Sequence, residues 1–497
     1  MKVALAREMR EIDRRAMAEF DYPGLLLMEH AALALFHRIR ERFAPEKVAI
    51  ICGKGNNAGD GWALARLLKL AGVGVRVFSP EVGVELPPDA EVNRKIACRL
   101  GLKEEPWLAL LADPARLASC AVLVDAILGT GFRGVVTGEM AAVINTINEA
   151  GVPVVAVDLP SGVEADTGRV RGPAVRAELT VTFGLPKVGL MVYPGKEYAG
   201  EVIVDPIGLP PSLLAEAAGT YYTLERRELE PLLPRRSPEA HKGTQGHLLV
   251  VGGAPGMTGA PVLAGLAGLR SGVGLVTLGL RPGLALPEKP LELLVKPWPE
   301  LKWETYDAIL AGPGLSTSPD GAELLSAILS LEGIPRVFDA DALNLLAMNP
   351  AWWEKIHGPV ILTPHPGEMG RLCGLSTREV QADRLGLVRE KSKAWGVTLV
   401  LKGAATLVGN GEAPVYINST GNPALATGGT GDVLAGMIGG LLAQGLPPPV
   451  AAVAGVYLHG QAGDLAAAEI GDAGLLASDL LPRIPRVMKW GHPSVNR

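Results

Sequence analysis

Short apolar runs, each ending in Gly, Pro, Asp or Asn and followed by a helix-like pattern, recur along almost the whole chain, and this alternation leaves few folds open. Residues 48–52 run into a glycine loop and then into 62–70, where apolar residues fall at helical spacing; residues 73–78, 121–125 and 152–157 follow. Unbroken apolar runs separated by helices read as parallel strands covered on both faces. The series breaks near 206–211 and crosses a polar stretch bearing Pro231, Pro234, Arg235, Arg236 and Pro238. It begins again with 248–251, 308–310, 337–338, 360–362 and 398–401. A chain of 497 residues also exceeds what one core usually holds. The expectation is α/β: two tandem three-layer domains, residues 1–215 and residues 225–497. No residue-level repeat links the halves, so they read as two different folds joined rather than as a duplication.

Charge narrows the partners. The net charge is −5, aromatics are 5%, and no run of Lys or Arg forms a basic stripe, which argues against nucleic acid. Cys52, Cys98, Cys120 and Cys373 are widely spaced without a C-x-x-C, so buried free thiols in a reducing compartment are expected. The N-terminus is charged within its first turns and has no apolar signal segment. Residues 433–463 carry no charge, yet Gln444, Pro447-Pro448-Pro449 and several glycines interrupt them. Their longest apolar piece falls short of the roughly twenty residues a membrane span needs. Two buried helices joined by a proline turn are expected there. The chain reads as a cytoplasmic homo-oligomeric enzyme of small anionic ligands, with no membrane partner.

Open α/β sheets bind ligands at the carboxyl ends of their strands, and the informative residues follow the apolar runs. Gly53-Lys54-Gly55-Asn56-Asn57-Ala58-Gly59-Asp60-Gly61 lies between a strand and a helix. It lacks the strict dinucleotide spacing and is no P-loop, but it offers a bent backbone and free helix N–H groups to a phosphate. A tight structural turn is the plain alternative. Asp125, before Gly129-Thr130-Gly131-Phe132-Arg133-Gly134, and Asp158, in Asp158-Leu159-Pro160-Ser161-Gly162, each end a strand. One such carboxylate often only caps a loop; two at one sheet edge suggest acid/base or cation-binding capacity.

In the second half, Asn422-Pro423-Ala424-Leu425-Ala426-Thr427-Gly428-Gly429-Thr430-Gly431-Asp432 precedes a helix pattern that is apolar almost all round. Gly-Gly-Thr-Gly at a helix start leaves several N–H groups able to point at an anion. Phosphoryl transfer needs such donors and a carboxylate near the attacking hydroxyl, and Asp432 falls in the first turn. Capping alone would not require four small residues before it. Gly312-Pro313-Gly314, Asp339-Ala340-Asp341 and Thr363-Pro364-His365-Pro366-Gly367-Glu368 end further strands. Lys402-Gly403-Ala404-Ala405-Thr406 adds a positive charge near phosphates. His365 alone could merely bond neighbouring loops.

Asn56-Asn57-Ala58-Gly59-Asp60-Gly61, Asp125-Ala126-Ile127-Leu128-Gly129-Thr130-Gly131, Asp158-Leu159-Pro160-Ser161-Gly162 and Asp166-Thr167-Gly168 together resemble the NAD(P)H-hydrate epimerase family. The likeness runs from Met9-Arg10-Glu11-Ile12-Asp13 to about residue 210, and implies a Rossmann-like domain. It implies that Asn56, Asn57, Ala58, Gly59 and Asp60, with Gly129, Thr130, Gly131, Phe132, Arg133, Gly134 and Val135, contact the hydrated dinucleotide. Asn57, Asp125 and Ser161 would hold K+, and Asp158 would be the acid/base. Ala58 stands where the family usually has Gly.

The second half resembles the ribokinase-like superfamily in Gly-Thr-Gly-Asp. From about His241 to Leu481 it resembles more closely the ADP/ATP-dependent NAD(P)H-hydrate dehydratases. His241-Lys242-Gly243-Thr244-Gln245-Gly246-His247, Gly252-Gly253, Met257-Thr258-Gly259-Ala260, Thr363 to Glu368 and Lys402-Gly403-Ala404 carry that likeness. It implies that Ala260, Gly314, His365 and Asp432 contact the hydrate, and that Lys402, Gly403, Ala404, Ala405, Thr406 and Gly431 contact the adenine nucleotide. ADP would be the co-substrate, with Mg2+ held through phosphate and water. The two halves would perform successive steps on NADHX or NADPHX: epimerisation of the R and S forms, with Asp158 handling a proton, then ADP-dependent dehydration of the S form, with Asp432 assisting. A vitamin or sugar kinase fused to a nucleotide-binding module is the alternative, as is a non-catalytic nucleotide-binding scaffold.

Overall fold

The computed structural model describes residues 1–216, 219–286 and 290–489, so the expected limit at 497 lies outside the described residues. The chain divides into a unit of residues 2–221 and a second unit that begins at Tyr222 and takes in Met1.

The first unit is built on seven parallel strands: β1 (Lys47–Cys52), β2 (Gly74–Ser79), β3 (Glu104–Pro106), β4 (Val122–Ala126), β5 (Val154–Val157), β6 (Leu179–Phe183) and β7 (Glu201–Asp205). Their order across the sheet is β3-β2-β1-β4-β5-β6-β7. β1, β4, β5 and β6 are buried along nearly every residue, which is why the sequence shows them as runs rather than as alternations. Helices α1 (Ala6–Glu19), α2 (Gly24–Phe43) and α3 (Asn56–Leu70) belong to this unit. The chain leaves β1 toward β2 on one side and returns to β4 on the other, so the crevice between β1 and β4 is a topological switch point. Gly53 sits there because nothing larger fits: a Cβ on it would lie 2.0 Å from the carbonyl oxygen of Ile127.

The second unit repeats the device with a different sheet. Its strands are β8 (His247–Val251), β9 (Leu275–Leu280), β10 (Leu294–Pro297), β11 (Ala308–Ala311), β12 (Arg336–Phe338), β13 (Val360–Leu362), β14 (Thr398–Leu401), β15 (Leu407–Asn410) and β16 (Val415–Ile417). They run β16-β15-β14-β13-β12-β11-β8-β9-β10. β8 to β14 pair in parallel, whereas β15 and β16 turn back antiparallel. The parallel run therefore ends at this edge. A hairpin needs only a short loop where a parallel pair needs a crossover, and residues 402–406 supply one. The switch point lies between β8 and β11. A Cβ on Gly252 would lie 2.0 Å from the carbonyl oxygen of Pro313.

Helices α4 (Gly259–Arg270), α5 (Pro366–Cys373), α6 (Arg384–Trp395), α7 (Thr430–Ala443) and α8 (Pro448–Ile470) complete the parts that matter here. α7 and α8 are the two buried helices joined by a proline turn that the charge-free stretch predicts. α7 lies directly on the backbone of α4, where a Cβ on Gly436 would meet Ala264 O at 2.1 Å and one on Gly440 would meet Gly268 O at 2.8 Å. Among the described residues no helix is long and apolar enough to cross a membrane. All four cysteines are free; Cys52 and Cys120 are buried, but Cys98 is exposed and Cys373 half-buried, so burial holds only for the pair in or beside strands.

Candidate active sites

A cleft of about 730 Å³ opens at the first switch point. Asn56, Asn57, Asp60, Gly129, Thr130, Gly131, Phe132 and Asp158 line it, as does Lys187. Ala58 and Gly59 do not. Ala58 is fully buried in the hydrophobic core, and a Cβ on Gly59 would meet Met28 Cε at 2.6 Å, because the first turn of α3 packs that face against α2. Arg133 turns instead to Asp166 (2.6 Å), and Val135 is exposed.

Asp158 adopts a left-handed backbone conformation (φ 65°), a state few residues other than Gly tolerate and one that marks functional sites. It is held there by the end of β6. Its Oδ1 accepts from Thr182 Oγ1 (2.9 Å), the Phe183 N–H (3.2 Å) and Lys187 Nζ (2.5 Å). Lys187 is 2% exposed and also donates to Thr182 Oγ1 and Phe183 O, so all three of its protons are used. Asp13, on α1, faces the same cleft, and burial pushes its carboxyl up to about 6, against the pull of Lys187. Burial raises Asp60 further, with Asp158 and Asp13 adding to the effect.

Beneath the cleft floor, Asp125 is fully buried. It accepts from Ser161 Oγ (2.6 Å), the Ser161 N–H (2.7 Å) and the Ile127 N–H (3.2 Å), and burial lifts it to about 6. Asn57 Nδ2 donates to Leu128 O, and the Leu128 N–H donates to Ser161 Oγ. A carboxylate at the end of β4 and a hydroxyl on the loop after β5 thus meet, and the Asn57 side chain, from the first turn of α3, joins them through Leu128. These are hard donors suited to an alkali or alkaline-earth cation rather than to zinc. Among the described residues no three His, Cys, Asp or Glu side chains form a metal cluster.

In the second unit, Gly429 caps α7 with φ 93°, and Thr430 and Gly431 open the helix with Asp432 behind them. Thr430 Oγ1 donates to Leu425 O and Thr427 O, which ties the glycine loop down. Asp432 is pushed up to about 6, first by burial and then by Asp339, while Lys402 opposes the shift. Lys402 is not the free cation that its place in the sequence suggests. Its Nζ donates to Asp339 Oδ1 (2.6 Å) and lies 3.8 Å from Glu368 Oε2, while a Cβ on Gly431 would lie 3.5 Å from it. Burial disfavours the Lys402 charge, but Asp339 and Glu368 more than compensate, so its pKa is raised. Glu368 rises to about 7, again through burial first.

His365 does what a loop histidine often does: it caps α5, its Nδ1 accepting from the Gly367 N–H (3.0 Å), while the His365 N–H donates to Glu368 Oε2. Burial lowers its pKa, and its Nε2 lies 3.5 Å from Glu368 Oε1. Gly314, at the second switch point, is buried with φ 61°, and a Cβ there would meet Met257 O at 2.4 Å. Ala260 lies in the first turn of α4. Residues 402–406 form the hairpin loop between β14 and β15, with Leu401 paired to Leu407.

Four further residues beside these sites were not singled out by the sequence reading: Asp13, Lys187, Arg384 and His459. Lys187 was detectable as a lone cation in the apolar run Leu185 to Leu190. Arg384, on α6, wraps the hairpin loop by donating to Ala404 O (2.6 Å), Ala405 O, Leu401 O and Lys402 O. His459, inside the charge-free stretch, is buried against the Thr430 backbone with its Nε2 unpartnered and its pKa lowered to about 4 by burial.

Two α/β sheets, each with polar strand-end loops gathered at its switch point, define a two-domain enzyme in which a Rossmann-like domain precedes a ribokinase-like one. Residues 248–486 match the family model described as NAD(P)H-hydrate dehydratase, and residues 24–189 match that of the YjeF-related protein N-terminus. The bifunctional NAD(P)H-hydrate repair enzyme Nnr of Moorella thermoacetica is 43% identical over 98% of this chain and 97% of its own length. Its namesake in Coxiella burnetii is 41% identical over 96% and 97%, and that of Escherichia coli K12 is 36% identical over 97% and 93%. The chain belongs to the family of bifunctional NAD(P)H-hydrate repair enzymes. A crystal structure of the ADP/ATP-dependent NAD(P)H-hydrate dehydratase from Bacillus subtilis, co-crystallised with ATP and Mg2+, is 37% identical. It covers 53% of this chain and 96% of that one, at a TM-score of 0.48. Relatives matched along their whole length are repair enzymes, which leaves the vitamin or sugar kinase reading less supported.

Proposed function

We propose that the first cleft inverts C6 of the hydrated nicotinamide ring, and that the loop at the head of α7 activates the resulting C6 hydroxyl by phosphoryl transfer from ADP. The observation that carries this reading is Asp432. It is a half-buried carboxyl pushed up to about 6, in the first turn of α7 behind Gly429, Thr430 and Gly431. A base with a pKa near the working pH can take the hydroxyl proton, while the helix start stabilises charge on the moving phosphoryl group. Phosphate is a far better leaving group than hydroxide. Electron push from the ring nitrogen then expels it as inorganic phosphate, and loss of the C5 proton from the resulting iminium restores the reduced nicotinamide, leaving AMP.

In this reading Ala260, Gly314 and the Nε2 edge of His365 contact the hydrate. The Lys402 to Thr406 hairpin, braced by Arg384, and Gly431 receive the nucleotide. Mg2+ would be held chiefly through phosphate oxygens and water, beside the carboxylates of this site. Asn57, Asp125 and Ser161 fit K+ by their oxygen donors, and the ion would offset the charge of Asp125 while fixing the cleft floor. In the first cleft Asp158 acts on the substrate proton, oriented by Thr182, Phe183 and Lys187. A homo-oligomer working in the cytoplasm is part of the same proposal.

The experiment is ADP-dependent recovery of reduced-nicotinamide absorbance from the separated S hydrate. Asp432→Ala should lose at least ~100-fold in kcat; near-normal turnover would remove Asp432 from the mechanism. Replacing K+ by Na+ should slow epimerisation of the R hydrate and leave dehydration of the S hydrate unaffected by this site.

A further inference from the structure

The first cleft holds more acid/base equipment than one carboxylate. Asp13, Asp60 and Asp158 line it from three separate elements, α1, the start of α3 and the end of β5. Asp158 has its Oδ1 fully engaged by Lys187, Thr182 and the Phe183 N–H. Asp60 lies three residues from Asn57, beside the cation-suited loop. Asp13 accepts no hydrogen bond that would fix its carboxyl in one state, and Lys187, Asp158 and Asp60 face it across the cleft, with Arg10 on its own helix.

α1 is anchored firmly enough to hold a reacting group. At its start Glu8 Oε2 accepts from the Leu5 N–H at 2.8 Å, and Asp166 Oδ1 accepts from the Ala6 N–H at 2.6 Å. Glu8 is tied in turn by Thr220 Oγ1 at 2.7 Å. Met9, Asp13 and Met17, at helical spacing, then present one face of α1 to the cleft. Nothing in packing alone requires an acid between two methionines there.

Inversion at C6 needs two proton transfers. The C6–O bond breaks and its electron pair leaves on oxygen, which takes up one proton and departs as water. The ring-nitrogen lone pair forms a double bond to C6. Water then attacks the opposite face, the new C6–O bond forms, the π pair returns to nitrogen, and the attacking water gives up one proton. Atoms, charge and oxidation state balance without a co-reactant. A single carboxyl cannot serve both faces of a planar ring held in a cleft.

We propose that Asp13 is the second acid/base group of the epimerase cleft, exchanging a proton with the oxygen on one face of the ring while Asp158 serves the other. The proposal rests on the assignment of this cleft as the epimerisation site. A carboxyl that burial places at about 6 is poised to donate in one direction of the reaction and to accept in the other.

The test follows R-to-S conversion by the full-length chain across pH, with ADP-dependent dehydration of the S hydrate as an internal control for folding. Asp13→Asn should lower the epimerisation kcat at least ~100-fold with KM nearly unchanged and dehydration intact. It should also remove an ionisation near pH 6 that the unaltered protein shows, and Asp13→Glu should restore both rate and ionisation in part. An Asp13→Asn protein with the original rate and pH profile, alongside an inactive Asp158→Asn, overturns the role of Asp13 alone. Full activity in both variants overturns the cleft assignment and the proposal with it.

Discussion

Single side chains in both sites sit where the charged form is costly, and that cost can be measured. Asp432 is ordinarily near 3.8 and stands at about 6 in the folded chain. Its folded form therefore binds a proton more tightly than the unfolded form, and its ionisation works against folding. The penalty is absent below about pH 4, grows through the interval and is complete above 6. Asp432→Asn should therefore be more stable than the unaltered protein at pH 8, by at most ~3 kcal/mol. That advantage should vanish on acidification, as followed by thermal melts at several pH values. Dehydration by the unaltered protein should rise as pH passes through about 6, because the base must be ionised. His459 runs the opposite way. Its lowered pKa means that folding excludes the charged ring, so its contribution to stability is present above its ordinary value of 6.5 and lost as pH falls toward 4. A melt of His459→Gln should lose that acid sensitivity.

At the scale of elements, the sites are held by backbone contacts that only glycine permits. α7 holds its place because Gly436 and Gly440 let it rest on the backbone of α4. Gly436→Val should push the helices apart, costing ~1–3 kcal/mol of stability, and should depress kcat for dehydration more than KM for ADP. Arg384→Ala should do the reverse. The loop it braces would lose four carbonyl contacts, raising KM for the nucleotide while leaving the chemistry at Asp432 in place; steady-state kinetics separate the two patterns. These elements also explain what could be read from the sequence. Asp158, Asp125 and Gly53 end or directly follow apolar runs, so a parallel sheet places them at the ligand edge with no further information, whereas Asp432 was legible from the Gly-Gly-Thr-Gly that opens its helix. Asp13 and Arg384 reach their sites from helices whose sequences look merely amphipathic or charged. Lys402 looked like a free cation because its partners, Asp339 and Glu368, lie on neighbouring strand ends far away in the chain. The antiparallel edge was missed for a related reason: a strand of four residues carries no mark of its direction.

At the scale of the whole chain, each unit owns a separate core. Leu64 is fully buried in the first and Leu310 in the second. Leu64→Ala should cost ~2–5 kcal/mol in the first unit. On heating, this variant should lose epimerisation before ADP-dependent dehydration of the S hydrate, and Leu310→Ala should fail in the opposite order. Loss of both activities together in either variant would mean that the units unfold as one. The near-complete coverage of full-length relatives fits a chain in which neither activity is an appendage to the other.

The hairpin loop at residues 402–406 carries a historical consequence. Leu401 and Leu407 are cross-strand partners, so the five residues between them are closed at both ends by the ladder. Many surface loops can drift in length by insertion or deletion, but here one added residue would either slip every side chain of β15 to the opposite face or force a bulge in the ladder. Among descendants of a common ancestor, length differences should therefore gather elsewhere and leave this interval intact.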